Sequence, residues 1–272
     1  MNFSGMMNRN KNSMLYWYPK IKDLDIPQPR TEFVELTEKE KKAYYEGEGL
    51  FSDTLTQRVR ECIEKKFTLP IFLRTDQQSG KHFWKKTCFV SGLTSLKEHI
   101  CEITSFTRCC DIFGGLPIEA MVIREFIPMD TMFTAFLYET PINPEIRFFV
   151  ENGEVKCWHW YWCLDAIEEG EPSVPNWREL MNKTKDEISS NDILWLTDEV
   201  KKIAEVFKDD DFWSVDFCRA KDKKYYLIDL ALGEQSWHPK DCPFNRTIEV
   251  NLFKDAKPMT DADVKFVYEE EK

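Results

Sequence analysis

The sequence predicts an α+β protein with mostly antiparallel sheets. Three observations carry that expectation: nine short apolar runs bounded by turn residues, apolar stripes at helical spacing between them, and Asn152-Gly153, a dipeptide suited to a tight hairpin. With 272 residues and a hydrophobic share of 42%, the chain has material for one large domain or two closely packed lobes.

The opening MNFSGMMNRNKNS is polar and Asn-rich, lacks the apolar stretch of a signal peptide, and reads as a disordered tail over 1–12. Pro19, Pro27 and Pro29 then favour an extended path through 13–36, as a wrap or an edge strand, over a helix. Helical spacing follows over about 37–47 and 54–66, the second placing Leu55, Val59, Cys62 and Ile63 on one face behind an Asp53 cap. Further helices are expected at about 94–108 and 197–208, where Val200, Ile203, Ala204 and Phe207 form a stripe. Strands are expected near 69–75, 87–91, 120–127, 132–138, 145–151, 154–161, 212–219, 225–232 and 247–252. Residues 162–195 read as a long excursion, and 256–272 as a solvated acidic tail.

A formal net charge of −11 argues against broad adhesion to nucleic acid or anionic membranes, and no run reaches the 18 apolar residues of a spanning helix. Nine cysteines, with Cys109 and Cys110 adjacent, do not read as a disulfide framework, so a reducing, cytoplasmic setting is expected. There is no CxxC pair, and His82, His99, His159 and His238 are scattered, so no zinc site is expected.

The stretch FWSVDFCRAKDKKYYLIDLAL reads as a hairpin with one aspartate per strand. If Lys221–Lys224 form a four-residue loop, Ala220 pairs with Tyr225, and Asp216 falls directly opposite Asp229. Opposed carboxylates with Cβ atoms about 5 Å apart repel, and the pair calls for a cation. A loop of three or five residues instead sets each aspartate on its own face.

The Asn152-Gly153 turn pairs Arg147 with Trp158 and puts Lys156 on the face of Arg147. Arg147 then either lies on Trp158 as a cation–π pair or joins an anion site. Its company favours the second. Arg74 ends the run PIFLR, and the loop TDQQSGKHFWKKT supplies Lys81, Lys85 and Lys86, a set able to hold a polyphosphate without the spacing of a P-loop. The stretch AMVIREFIPMDT reads as an edge strand offering backbone groups to a purine and a carboxylate to ribose hydroxyls; alternatively Arg124 and Glu125 pair at the surface and Asp130 begins a turn.

The order of these pieces resembles the ATP-grasp superfamily from about Tyr16 to Pro239. The stretches WYPKI, IPQPRTEFV, PIFLRTDQQSGKHFWKKT, VIREFIP, EIRFFVENGEV and SVDF resemble more narrowly its clade named for one arginine and two lysines, found in phage and bacterial proteins. They are also similar to the eukaryotic cell-division-cycle proteins that chaperone assembly of translation initiation factor two. The resemblance implies an ATP-grasp fold in which two α+β lobes with mostly antiparallel sheets clasp a nucleotide. Residues 13–66 would form an N-terminal wrap and helices, 67–130 a phosphate-loop lobe ending at the adenine hinge, and 131–255 a metal-binding lobe.

Residue by residue, the resemblance implies Arg74 in the place of the usual strand lysine, Lys81 in a mobile loop over the phosphates, and Arg147 on the γ-phosphate. Lys81 and Arg147 would be the catalytic cations. Glu125, Phe126 and Ile127 would be the adenine hinge, Asp130 the ribose ligand, and Asp216 and Asp229 the ligands of Mg²⁺, an ion that favours hard oxygen donors. Ala231 stands where many ATP-grasp proteins carry a polar metal ligand, which leaves Glu234 as the nearest substitute. The implied activity is an ATP-dependent ligase that activates a small-molecule or peptide carboxylate as an acyl phosphate, passes it to an amine or thiol, and releases ADP and phosphate. The alternative is a non-catalytic ATP-binding assembly factor with a protein partner, met by Trp158, Trp160, Trp162 and Trp177.

Overall fold

Ser13 starts a helix where the prolines predict extended chain. In the computed structural model, which describes residues 10–46, 53–112 and 118–246, α1 spans Met14–Ile21. The Ser13 hydroxyl accepts from the Leu15 N–H, and Met14, Trp17 and Ile21 are all buried. Pro19 removes one helical bond at a cost of roughly 3 kcal/mol. Burial of three large side chains at roughly 1.5–3 kcal/mol each outweighs it. Asn10, Lys11 and Asn12, assigned to the tail by sequence, are also tied down: Asn10 donates to Gln77 at 2.7 Å, Lys11 pairs with Asp210, and the Asn12 side chain accepts from Leu232 N–H at 2.6 Å.

The first sheet has the order β1-β4-β2-β3, antiparallel throughout, from β1 (Thr31–Glu35), β2 (Ile71–Thr75), β3 (Phe89–Val90) and β4 (Ala120–Glu125). The edge strand foreseen within 13–36 is β1. Strand β4 is an inner strand, against the expectation of an edge, because β1 pairs along one side of it and β2 along the other. Helices α2 (Glu38–Glu46), α3 (Asp53–Lys66) and α4 (Leu96–Ile112) accompany this sheet. Leu55, Val59 and Ile63 of α3 meet Leu96, Ile100 and Ile103 of α4 and Ile71 and Leu73 of β2 in one core.

The second sheet runs β10-β9-β7-β8, from β7 (Glu145–Glu151), β8 (Glu154–Trp160), β9 (Trp213–Arg219) and β10 (Tyr225–Leu232). Its core joins Phe148, Val215 and Phe217 to Trp17 of α1 and to Leu196, Val200 and Ile203 of α7 (Ser190–Val206). The N-terminal segment is therefore split between the two cores, α1 with the second sheet and α2–α3 with the first.

The excursion at 162–195 is structured. Helices α5 (Leu164–Glu169) and α6 (Trp177–Glu187) pack Ile167, Trp177 and Met181 against a small hairpin of β5 (Phe133–Ala135) and β6 (Thr140–Ile142). Trp162 and Trp177 are buried there, while Trp158 is 40% exposed. Helix α7 begins before the expected 197 because Ser189 and Asp192 form a reciprocal capping box. The strand expected at 247–252 and the tail at 256–272 lie outside the described residues.

Candidate functional site

Strand register brings the acidic pair together by a different route from the one the sequence suggests. The β9–β10 loop is one residue longer than expected, so Tyr225 pairs with Arg219 and not with Ala220. An irregularity at Ile228 then shifts the ladder by one, and Asp216 comes to lie opposite Asp229. A similar irregularity in β8 puts Arg147 opposite His159, not Trp158. The aromatic partner of Arg147 is the ring of Tyr161, 4.5 Å from its guanidinium carbon, and Lys156 turns instead to Glu154 at 2.6 Å.

One pocket collects most of the expected residues: Arg74, Lys81, Glu125, Phe126, Ile127, Arg147, Asp216 and Asp229 all line it. Its cations are held by its acids. Arg147 donates from Nε and Nη2 to the two oxygens of Asp216, each at 2.7 Å, with both side chains about nine-tenths buried. Arg74 Nη1 lies 3.0 Å from Asp229 Oδ1. Lys81 Nζ lies 2.7 Å from Glu145 Oε2 and 3.6 Å from the centre of the Tyr161 ring, so that ring is shared by Lys81 and Arg147. Burial pulls the pKa of both cations down, but the facing carboxylates outweigh it, and both are raised above their ordinary values. The repulsion expected between Asp216 and Asp229 is met here by guanidinium groups.

The loop that presents Lys81 turns at Gly80, whose φ is 59°. Thr87 Oγ1 donates to the Gly80 carbonyl at 2.7 Å, and Thr140 Oγ1 to the Lys81 carbonyl at 2.8 Å. Lys85, exposed, pairs with Glu139 at 2.6 Å.

Two expected residues stand apart. Asp130 does not line the pocket, although Met129 and Thr131 beside it do; its carboxylate is taken by Arg219 at 2.8 Å and Lys223 at 2.7 Å, which hold its pKa down despite partial burial. Glu234 sits exposed in a short turn, Gly233–Gln235, outside the pocket lining. Of the acids implied for Mg²⁺, Asp216 and Asp229 therefore offer the right chemistry in one place, two hard oxygen donors facing each other at the pocket wall, whereas Glu234 does not join them.

Three lining residues escaped the sequence reading. Glu145 stands two residues before Arg147 on one strand, hence on the same face, a signal present in EIR. Arg124 reads as half of a surface pair but is buried, donating to Thr31 Oγ1 at 3.2 Å and to the Ile228 carbonyl. Burial, with Arg74 close by, lowers it to about 10, still charged at neutral pH. Tyr161 follows directly on the end of β8, where spacing alone says nothing of its ring contacts. The remaining lining is largely apolar, with Phe72, Trp84, Met129 and Ile228 beside Phe126 and Ile127.

The pocket thus gathers four cations, two opposed carboxylates and apolar walls among the antiparallel sheets of an α+β chain. Over residues 63–252 the sequence matches the family model for the ATP-grasp domain, family 3 of the clade named for one arginine and two lysines, and the chain belongs to that family. Among solved structures it is similar to N5-carboxyaminoimidazole ribonucleotide synthetase from Thermotoga maritima, at 9% identity and a TM-score of 0.42, covering 81% of this chain and 41% of that one. The synthase from Aspergillus clavatus in complex with ADP and 5-aminoimidazole ribonucleotide gives 11% identity and a TM-score of 0.42, with 82% and 44% covered. The ATP-grasp ligase PsnB complexed with minimal precursor, Mg and ADP gives 10% identity and a TM-score of 0.41, with 81% and 50% covered. The chain thus spans two-fifths to one-half of the length of these relatives. No curated protein matches the sequence, and no described helix is long and apolar enough to cross a membrane.

Proposed function

We propose that this pocket binds ATP with Mg²⁺ and that the protein is an ATP-dependent ligase joining a carboxylate to an amine or thiol. The observation that carries the reading is the convergence of three cation–carboxylate pairs, Arg74–Asp229, Lys81–Glu145 and Arg147–Asp216, in one pocket. A purely structural ion network has no use for so many desolvated charges, because burying each one is costly. A magnesium–triphosphate would engage five of these six groups: phosphate oxygens would take the three cations, and Asp216 and Asp229 would hold the metal, which would neutralise phosphate charge.

Charge balance supports the reading. The lining holds four cations, Arg74, Lys81, Arg124 and Arg147, and four carboxylates, Glu125, Glu145, Asp216 and Asp229. The pocket is formally neutral within a chain of net −11, so it is the more hospitable place for an anion. Phe126 and Ile127 lie just past the last ladder pair of β4, where backbone groups are available to a purine edge between apolar side chains. In the reaction, Arg147 and Lys81 would orient the terminal phosphoryl group and stabilise the charge that develops on it as it passes to the carboxylate oxygen. The amine or thiol would then attack the acyl carbon, giving up its proton, and displace inorganic phosphate. The nucleophile belongs to the substrate, so the chain needs none of its own.

Incubation with ATP, Mg²⁺ and mixtures of amino acids and peptides, scored for released nucleotide, tests this reading. ADP and phosphate are expected; AMP and pyrophosphate, or no turnover with any acceptor, would reject it.

A further inference from the structure

Cys157 and His159 are two residues apart on β8, so they project from the same face. After β10 the chain turns back and brings His238 and Cys242 to that face. Their four ligand atoms all lie within 4.8 Å of one another, with Cys157 Sγ 3.4 Å from His238 Nε2. A tetrahedral site with Zn–S of about 2.3 Å and Zn–N of about 2.0–2.1 Å has ligand atoms about 3.3–3.8 Å apart. The cluster is therefore within about 1 Å of closing on an ion.

A second observation points the same way. His159 Nε2 is buried and has no hydrogen-bond partner, a costly state for an imidazole nitrogen. His238 is 2% exposed, and its ring is stacked on Phe149 at 3.8 Å and 10°, so its orientation is set by packing. With His238 Nε2 beside Cys157 Sγ and His159 Nε2 without a partner, two imidazoles and two thiols are gathered in one place. His159 and His238, scattered in sequence, lie side by side in the fold, with ring centroids 4.9 Å apart. The signal was hidden because the ligands come as C-x-H and H-x₃-C from distant segments, not as CxxC.

We propose that Cys157, His159, His238 and Cys242 bind one zinc ion as a structural site. Two thiolates and two imidazoles match the tetrahedral preference of zinc, and four protein ligands leave no open position for catalysis. Binding releases the two thiol protons, and the two thiolates then neutralise the 2+ charge of the ion. The ion would pin the segment after β10 to β8. That segment touches the pocket: the carbonyl of Trp237, next to His238, accepts from Arg147 Nη1 at 3.3 Å, and His159 is the cross-strand partner of Arg147. The zinc would thus fix one support of Arg147. The inference does not depend on what the pocket binds.

Tag-free protein, purified in reductant without chelator and dialysed against zinc-containing then zinc-free buffer, is analysed for metal and, after exchange, for the visible spectrum of bound Co²⁺. About one zinc per chain is expected, together with intense tetrahedral ligand-field bands and thiolate-to-cobalt charge transfer. Cys242→Ser should lose the metal, and Cys163→Ser, outside the cluster, should keep it. The Co²⁺ spectrum of the parent carries the claim even if Cys242→Ser fails to fold. Zinc far below one per chain, a weak octahedral cobalt spectrum, or a Cys157–Cys242 disulfide in the reductant-handled protein would overturn it.

Discussion

Replacing Asp216 by asparagine in the ligand-free protein separates two views of the acidic pair. If Asp216 and Asp229 merely repelled each other across the ladder, either substitution would relieve strain and stabilise the chain by about 0.2–1 kcal/mol. The structure reverses the sign. Asp216 is 5% exposed and accepts two charge-assisted bonds from Arg147, so Asp216→Asn leaves a buried guanidinium facing a neutral amide. Breaking one side of such a pair costs about 3–5 kcal/mol, and since asparagine keeps one acceptor oxygen, about 3 kcal/mol is expected. Asp229 is more open, with a side chain 31% exposed and one ion-pair contact to Arg74, so Asp229→Asn should cost about 1 kcal/mol. At about 2–4 °C per kcal/mol for a chain of this size, Tm falls by about 6–12 °C for Asp216→Asn and by a few degrees for Asp229→Asn. Thermal and urea melts without nucleotide or added Mg²⁺ measure both. A Tm for Asp216→Asn equal to or above the parent's refutes the reasoning.

Three further outcomes are expected. Gly80→Ala should destabilise the protein by about 1–2 kcal/mol and weaken nucleotide binding, since φ is 59° there and the added Cβ would lie 2.4 Å from Ile103 Cδ1; equilibrium unfolding and titration with Mg-ATP check it. Lys81→Met should lower affinity for Mg-ATP about tenfold or more, while Lys85→Met, whose side chain is exposed, should leave it within about twofold. Partial burial pushes the Asp210 carboxyl up, but bonds from Lys11, Tyr16 and the Asp211 N–H outweigh it and hold it down at about 2. A carboxylate lowered in the folded state contributes stability above its unfolded pKa of about 3.9, and this is lost as pH falls towards 2. Asp210→Asn should therefore reduce Tm at pH 7 and flatten its fall between about pH 4 and 2, as melts across that range will show.

Much of the architecture was legible because it is written in local pattern. The two hairpins of the second sheet follow from Asn152-Gly153 and from apolar runs flanking a charged turn, and β7, β9 and β10 fall within a residue of expectation. Helix α1 was not legible, since the burial of Met14, Trp17 and Ile21 against a distant sheet overrides the proline signal. Register was only half legible. Irregularities at Lys156 and Ile228 move Arg147 off Trp158 and restore Asp216 to Asp229, and bulges leave no reliable mark in sequence. Pocket-lining residues on strands, such as Arg74, Arg147 and Asp216, were legible because charge within an apolar run stands out. Arg124 was missed because its neighbour Glu125 suggests a surface pair, and Glu145 because its partner, Lys81, lies on a distant segment.

The most direct test of the account is calorimetric titration of the ligand-free protein with ATP, in the presence of Mg²⁺ and in Mg²⁺-free buffer. Saturable binding at one site per chain is expected with Mg²⁺, weakened about tenfold or more without it, because Asp216 and Asp229 then face the triphosphate without a metal between them. No saturable heat with Mg-ATP up to millimolar concentration would contradict the assignment of this pocket.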